Sequence, residues 1–125
     1  MKIAVIAAVC LLAGYAPGTG SSHRVARIWH GRVAPQKAEE YQKYLYDAGI
    51  KKIRGVPKNL GAQMLRRDNQ ADSEFIVISY WPDRESIHAF AGAEIEKVHS
   101  LAKDPEYLLE VEPSVRHFDV VVDER

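Results

Sequence analysis

The sequence of 125 residues has room for one domain, and with 46% hydrophobic and 27% charged residues it reads as a globular chain, not a disordered or fibrous one. Seventeen Lys and Arg balance seventeen Asp and Glu, and no basic block stands out, which argues against a nucleic-acid binder and against a polybasic membrane surface. The one cysteine, Cys10, leaves the body of the chain without a disulfide framework or a Cys-based metal site, so the expected partner is a small molecule or a second copy.

Residues 1–22 carry one cation, Lys2, an apolar run from Ile3 to Ala13, and a small-residue stretch through Ser22. That order matches a secretory leader, and the run is shorter than the roughly 20 residues needed to cross a bilayer. The reading is a leader over 1–22 and a domain over 23–125. It places the protein outside the cytoplasm, in the periplasm, if the leader is cleaved, and in the cytoplasm if translation starts near His23. Cys10 lies inside the apolar run without the leucine of a lipoprotein signal. Met1–Val5 with Gly18-Thr19-Gly20 lacks the third glycine of a dinucleotide-binding fingerprint.

Val25 to Val33 is a β-rich run that ends before Pro35, a residue well placed to open a helix. Ala38, Tyr41, Leu45 and Ala48 then recur at helical spacing, and Gly49 is expected to stop the helix, with a loop over 50–59. Leu60–Arg67 and Glu74–Trp81 flank the polar turn 68–73 and read as an antiparallel hairpin, the second run a central strand. Asp83 is a candidate N-cap for a second helix that turns Ile87, Phe90 and Ala91 inward. Gly92 interrupts it; Ile95, Val98 and Leu101 suggest a further helical piece, and Asp104–Leu109 another. Val115–Val122 is the last strand. The order β-α-β-β-α-β predicts a ferredoxin-like α+β fold, an antiparallel four-stranded sheet with helices on one face. The opposite face would stay apolar and exposed unless a second copy covers it, so a homodimer follows from burial alone.

The segment Phe75-Ile-Val-Ile-Ser-Tyr-Trp-Pro-Asp-Arg-Glu-Ser-Ile-His-Ala-Phe-Ala-Gly and the ending Asp104 to Val120 resemble the antibiotic biosynthesis monooxygenase superfamily of dimeric α/β barrels. In these proteins a strand ends in Trp, here Trp81, before a helix that opens on Ser or Asp, here Asp83, and runs through a small residue to an aromatic, here Ala89-Phe90. The resemblance covers residues 24–122. It implies a pocket between the sheet and the second helix and a cofactor-independent monooxygenase acting on or binding a hydrophobic aromatic or quinone-type molecule. The alternatives are a haem-binding protein of the same fold and a non-catalytic ligand-binding dimer. A cofactor-free oxygenase needs an electron-rich substrate, a water-poor cavity and a group that deprotonates or orients a phenol.

The expected pocket residues are Trp29, Trp81 and Phe90, with His88 and Trp81 as the candidate catalytic pair. Trp29 and His30 alternate across the first strand, so one faces the helices and the other the opposite face; Trp29 is assigned to the cavity, with Arg27 and Gly31 on its side. His117, Tyr80, Tyr107 and Tyr44 are weaker candidates, more simply read as packing residues. No metal site is expected. His99 follows Phe90 by nine residues, the spacing of the axial haem ligand in the haem-degrading members. The first-strand Asn of those members falls near Trp29, where this chain has none.

Overall fold

The computed structural model describes residues 23–125, and the leader reading of residues 1–22 lies outside the described residues. Strands β1 (Arg24–Val33), β2 (Gly61–Asp68), β3 (Ser73–Trp81) and β4 (Arg116–Val120) form one antiparallel sheet in the order β2-β3-β1-β4. The first strand therefore lies between β3 and β4, and the chain returns to it twice, which is the ferredoxin-like arrangement. The β2–β3 hairpin closes where the Asn69 N–H donates to the Asp72 carbonyl at 2.8 Å. Along β3 every second residue (Ser73, Phe75, Val77, Ser79, Trp81) is buried and the residues between are half-buried. A run that reads as continuously apolar is thus a two-faced strand, one face under the helices and the other partly open.

Helix α1 occupies residues 35–54. It opens as a tight turn, Pro35–Lys37, runs as α-helix over Ala38–Tyr44, widens to a π-helical stretch over Leu45–Ile50, and closes as α-helix over Lys51–Arg54. The stop expected at Gly49 does not occur. In the widened turn the Lys51 N–H reaches the Tyr46 carbonyl five residues back, and the buried Gly49 backbone fits against Leu101, whose methyl would lie 3.5 Å from any added Cβ. The helix continues because Ile53, one turn on, is also buried. Helix α2 (residues 85–91) is short. Asp83 caps it, accepting the Ser86 N–H at 2.8 Å, and Gly92 ends it with φ of 85°, a left-handed conformation that suits glycine.

The helical piece expected over 95–101 is instead an irregular strap. Its backbone bonds run sideways to the chain before β4: Val98 N–H to the Pro113 carbonyl at 3.0 Å, and Val115 N–H to the Glu96 carbonyl at 2.8 Å. Those partners leave no helical ladder to form. Helix α3 (Asp104–Tyr107) follows. The core gathers Val25, Val33, Tyr41, Leu45, Ile53, Phe75, Val77, Trp81, Ile87 and Ile95 between sheet and helices. Inside it the Tyr41 hydroxyl donates to Asp104 Oδ1 at 2.9 Å while Asp104 Oδ2 accepts the Leu101 N–H at 2.9 Å. Burial and the neighbouring carboxylate push the Tyr41 phenol far up, so it stays a donor. No helix among the described residues is long and apolar enough to cross a membrane.

The other face of the sheet carries no helix. Ile28, Ile76 and Ile78 form its centre, with Leu65 and Phe118 exposed beside them. At one end His30 sits between two carboxylates, Nδ1 2.6 Å from Glu112 and Nε2 3.0 Å from Glu74. Burial pulls the imidazole down, the two hydrogen-bonded carboxylates outweigh it, and the net shift is upward. A histidine raised in the folded state contributes stability that is full below its unfolded value of about 6.5 and is lost as pH rises through the higher folded value. The stability advantage of the wild type over His30→Gln, measured by urea unfolding, is therefore expected to shrink as pH climbs from about 6 upward. An advantage that grows with pH would show that the carboxylates do not hold the charged ring.

Candidate functional site

The one-sided placement of helices leaves a cavity where α1, α2 and the strap do not close fully on the sheet. Two cross-strand pairs make its floor: Arg27 opposite Ser79, and Trp29 opposite Val77. Leu45, Gly49 and Ile53 of α1 line one wall. These three recur every four residues across the widened turn, so the π-helical stretch keeps one face of α1 on the cavity. Phe90 of α2, His99 and Leu101 of the strap, and Asp104 complete the lining. The free space is about 40 Å³, room for about three water molecules.

Two rings account for the small volume. Trp29 lies over Gly31, whose missing side chain makes the space: a Cβ there would meet the indole Cη2 at 2.5 Å. Phe90 packs between Trp81, at 6.5 Å between centroids, and His99, at 4.5 Å. Both Trp29 and Phe90 are half-buried, so either can turn toward solvent and enlarge the cavity.

Arg27 is the electrostatic centre. Its side chain faces the helices and the residue is 4% exposed. Nη1 donates to the Ile95 carbonyl and to His117 Nε2, the latter at 3.1 Å, and Nη2 reaches the Lys97 carbonyl at 3.4 Å. The guanidinium also lies 5.7 Å above the Phe90 ring. Burial draws its pKa down to about 10 against the support of Glu96, so it remains charged at neutral pH. Because an arginine can only donate, His117 must accept at Nε2 and carry its proton on Nδ1. Burial and then Arg27 lower that histidine, consistent with a neutral ring. Its Nδ1 is buried without a hydrogen-bond partner, 3.5 Å from Glu96. His99 is likewise lowered, by burial and then by Lys52 and Arg27.

The structure brings together part of the expected set. Trp29, Phe90 and His99 line the cavity. Trp81 does not: it is fully buried beneath α2, its indole N–H bonded to Ser79 Oγ at 2.9 Å. His88 does not either. It sits exposed on the outer side of α2 and donates through Nδ1 to the Gly92 carbonyl at 2.7 Å, closing the helix end. Its neighbour Ile87 takes the inward position, and one residue along a helix turns a side chain by about 100°, which carries His88 away from the lining. Tyr44 and Tyr107 stack at 5.7 Å on the far side of α1, Tyr80 bonds Gln63 at the sheet edge, and none of the three lines the cavity. From the sequence Arg27 is placed on the cavity side of β1 but given no role, and Ser79 and Asp104 are not singled out. The alternation of β1 and β3 carries the signal for the first two, a charged and a hydroxyl residue at inward positions among Val25, Phe75, Val77 and Trp81.

An antiparallel sheet in this order, with helices on one face and a ring-lined cavity beneath them, defines a ferredoxin-like α+β fold. A family model described as antibiotic biosynthesis monooxygenase matches residues 24–99, and the chain belongs to that family. No curated protein matches it. Among solved structures it is similar to a putative antibiotic biosynthesis monooxygenase from Bacillus cereus, at 13% identity and a TM-score of 0.60 over 82% of this chain and 98% of that one. It is similar to the haem-degrading protein of Mycobacterium tuberculosis in its haem-free form, at 22% identity and a TM-score of 0.56 over 82% and 99%. A third is a monooxygenase from Streptomyces coelicolor in complex with nanaomycin D, at 15% identity and 0.50 over 84% and 93%. At these identities the likeness is one of fold.

The packing of Trp29 over Gly31 has a measurable consequence. Gly31→Ala is expected to lower unfolding stability by about 1–3 kcal/mol through overpacking, and most of that cost should vanish in a Trp29→Ala background. Equal costs in both backgrounds, by urea denaturation, would mean that the indole does not occupy the space over Gly31.

Proposed function

We propose that this protein is a cofactor-independent monooxygenase-like protein that binds a hydrophobic aromatic molecule in the cavity under α2, with His99 as the group that handles its proton. The observation that carries this reading is His99 itself. Its ring lines a largely apolar, partly open space, is lowered first by burial and then by Lys52 and Arg27, and takes no hydrogen bond among the described residues. A neutral imidazole in that setting can accept a phenol proton. The resulting anion is richer in electrons than the phenol and reduces dioxygen directly: a C–O bond forms at a ring carbon, the C–H bond there and the O–O bond break, and the second oxygen leaves as water with the ring hydrogen and the phenol proton, so that a quinone forms and the substrate supplies all four electrons. Arg27 and Lys52 favour an anion in the cavity by the same field that lowers His99. Trp29 and Phe90 exclude water from it, and the earlier candidate His88 would serve as a helix-end residue outside the reaction.

Haem is the other group the fold suggests, and His99 has the donor chemistry to ligate it. The cavity does not fit: about 40 Å³ bounded by Trp29 and Phe90 is far below a macrocycle. The bare sheet face supports a homodimer. Ile28, Ile76, Ile78, Leu65 and Phe118 would be covered by the same residues of a second copy.

Two measurements test these readings. Oxygen uptake with a panel of single-ring quinols is expected for the wild type, falling about 10²–10⁴-fold in His99→Ala; ligand binding with no uptake in the wild type would leave a non-catalytic binder. For the assembly, Ile78→Asp is expected to shift the protein from dimer to monomer in sedimentation. A wild type that already sediments as a monomer would remove the dimer.

A further inference from the structure

Arg27 and Ser79 face each other across the β1–β3 pair and both line the cavity floor. Both are buried, and neither has its donors used up. Arg27 gives Nη1 to Ile95 and His117, and Nη2 makes one long bond to Lys97. Nε and the second Nη2 hydrogen have no partner among the described residues. Those two N–H groups form the forked edge of a guanidinium, whose spacing matches the two oxygens of one carboxylate. Ser79 Oγ accepts the Trp81 indole N–H, which leaves its own proton to donate.

No carboxylate among the described residues pairs with this cation. Glu96 acts on it from a distance. Asp104, the acid that lines the cavity, already receives the Tyr41 hydroxyl on one oxygen and the Leu101 amide on the other. A buried cation without a paired anion is costly, and a ligand that brings the anion removes that cost. Apolar and aromatic side chains make up most of the remaining lining, which asks for a flat apolar body behind the charge.

We propose that the cavity binds a single-ring aromatic carboxylate, its two oxygens held by the forked edge of Arg27 and the hydroxyl of Ser79 and its ring lying between Trp29 and Phe90. This rests on the reading of the cavity as an aromatic-ligand site and narrows it to an anionic, one-ring class. The small free volume sets the ring count: turning Trp29 or Phe90 aside vacates about one ring of space, not three.

Benzoate and its neutral analogue benzamide, titrated calorimetrically into the wild-type protein, provide the test. Benzoate is expected to bind at least about tenfold more tightly than benzamide, the scale of a charge-assisted hydrogen-bond pair. Arg27→Gln should abolish that preference. Since Arg27 also holds the strap, Ser79→Ala serves as the second variant: it leaves every strap contact in place and should weaken benzoate about three- to tenfold while benzamide changes little. If benzamide binds as tightly as benzoate, or if benzoate binds both variants as it binds the wild type, the carboxylate subsite is overturned and the aromatic cavity stands. If neither probe binds, the aromatic cavity falls, and the subsite with it.

Discussion

A guanidinium buried between sheet and helices has to find acceptors there, because an unpaired charge in that layer costs several kcal/mol. Arg27 finds them in main-chain carbonyls of residues 95 and 97 and in the ring of His117. That requirement brings the strap down onto the sheet and fixes the tautomer of a histidine on β4. It also leaves one edge of a cation free beside the cavity that the strap roofs. Sheet, strap and site therefore share Arg27, the fourth residue of β1, as a point of attachment.

The helices meet this constraint from the other side. The widened turn of α1 lets Leu45, Gly49 and Ile53 stay on the cavity, and Gly49 lets Leu101 approach the helix backbone. The short α2 delivers only one ring, Phe90, before Gly92 turns the chain away. The cavity exists because two helices that could have sealed the sheet stop short or change pitch where they reach Arg27. The chain belongs to its family by the match over residues 24–99, and in its cavity Trp29 packs over Gly31 on β1.

The fold was legible because it rests on periodicity. The β-rich run of β1, the apolar run of β3, the polar turn at 68–73 and the Asp83 cap are local signals, and each predicted its element to within a residue or two. The expectations that did not hold concern segments whose partners are distant in sequence. Gly49 reads as a helix stop when only its neighbours are considered, whereas in the fold it is a buried helix position with Leu45 and Leu101 packed beside it. Residues 95–101 carry helical spacing, yet their amides and carbonyls bond Pro113, Val115 and Arg27, which no local pattern reveals. The same reason separates His99 from His88. Spacing pointed to both, but which imidazole lies over the cavity depends on where the strap is pinned, and the pin is a strand residue 72 positions before His99 in the chain.

The roof is held through carbonyl oxygens, which every amino acid has. Arg27 recognises the backbone of residues 95 and 97, and the chain just before β4 is joined to the strap by backbone hydrogen bonds as well. Ile95 is tied to the core by its side chain, but the side chain of His99 takes no part in this backbone anchorage. Replacing the group at position 99 would change the chemistry presented to a guest while the ceiling stays where it is, so the fold separates the part that selects a ligand from the part that keeps the chamber standing.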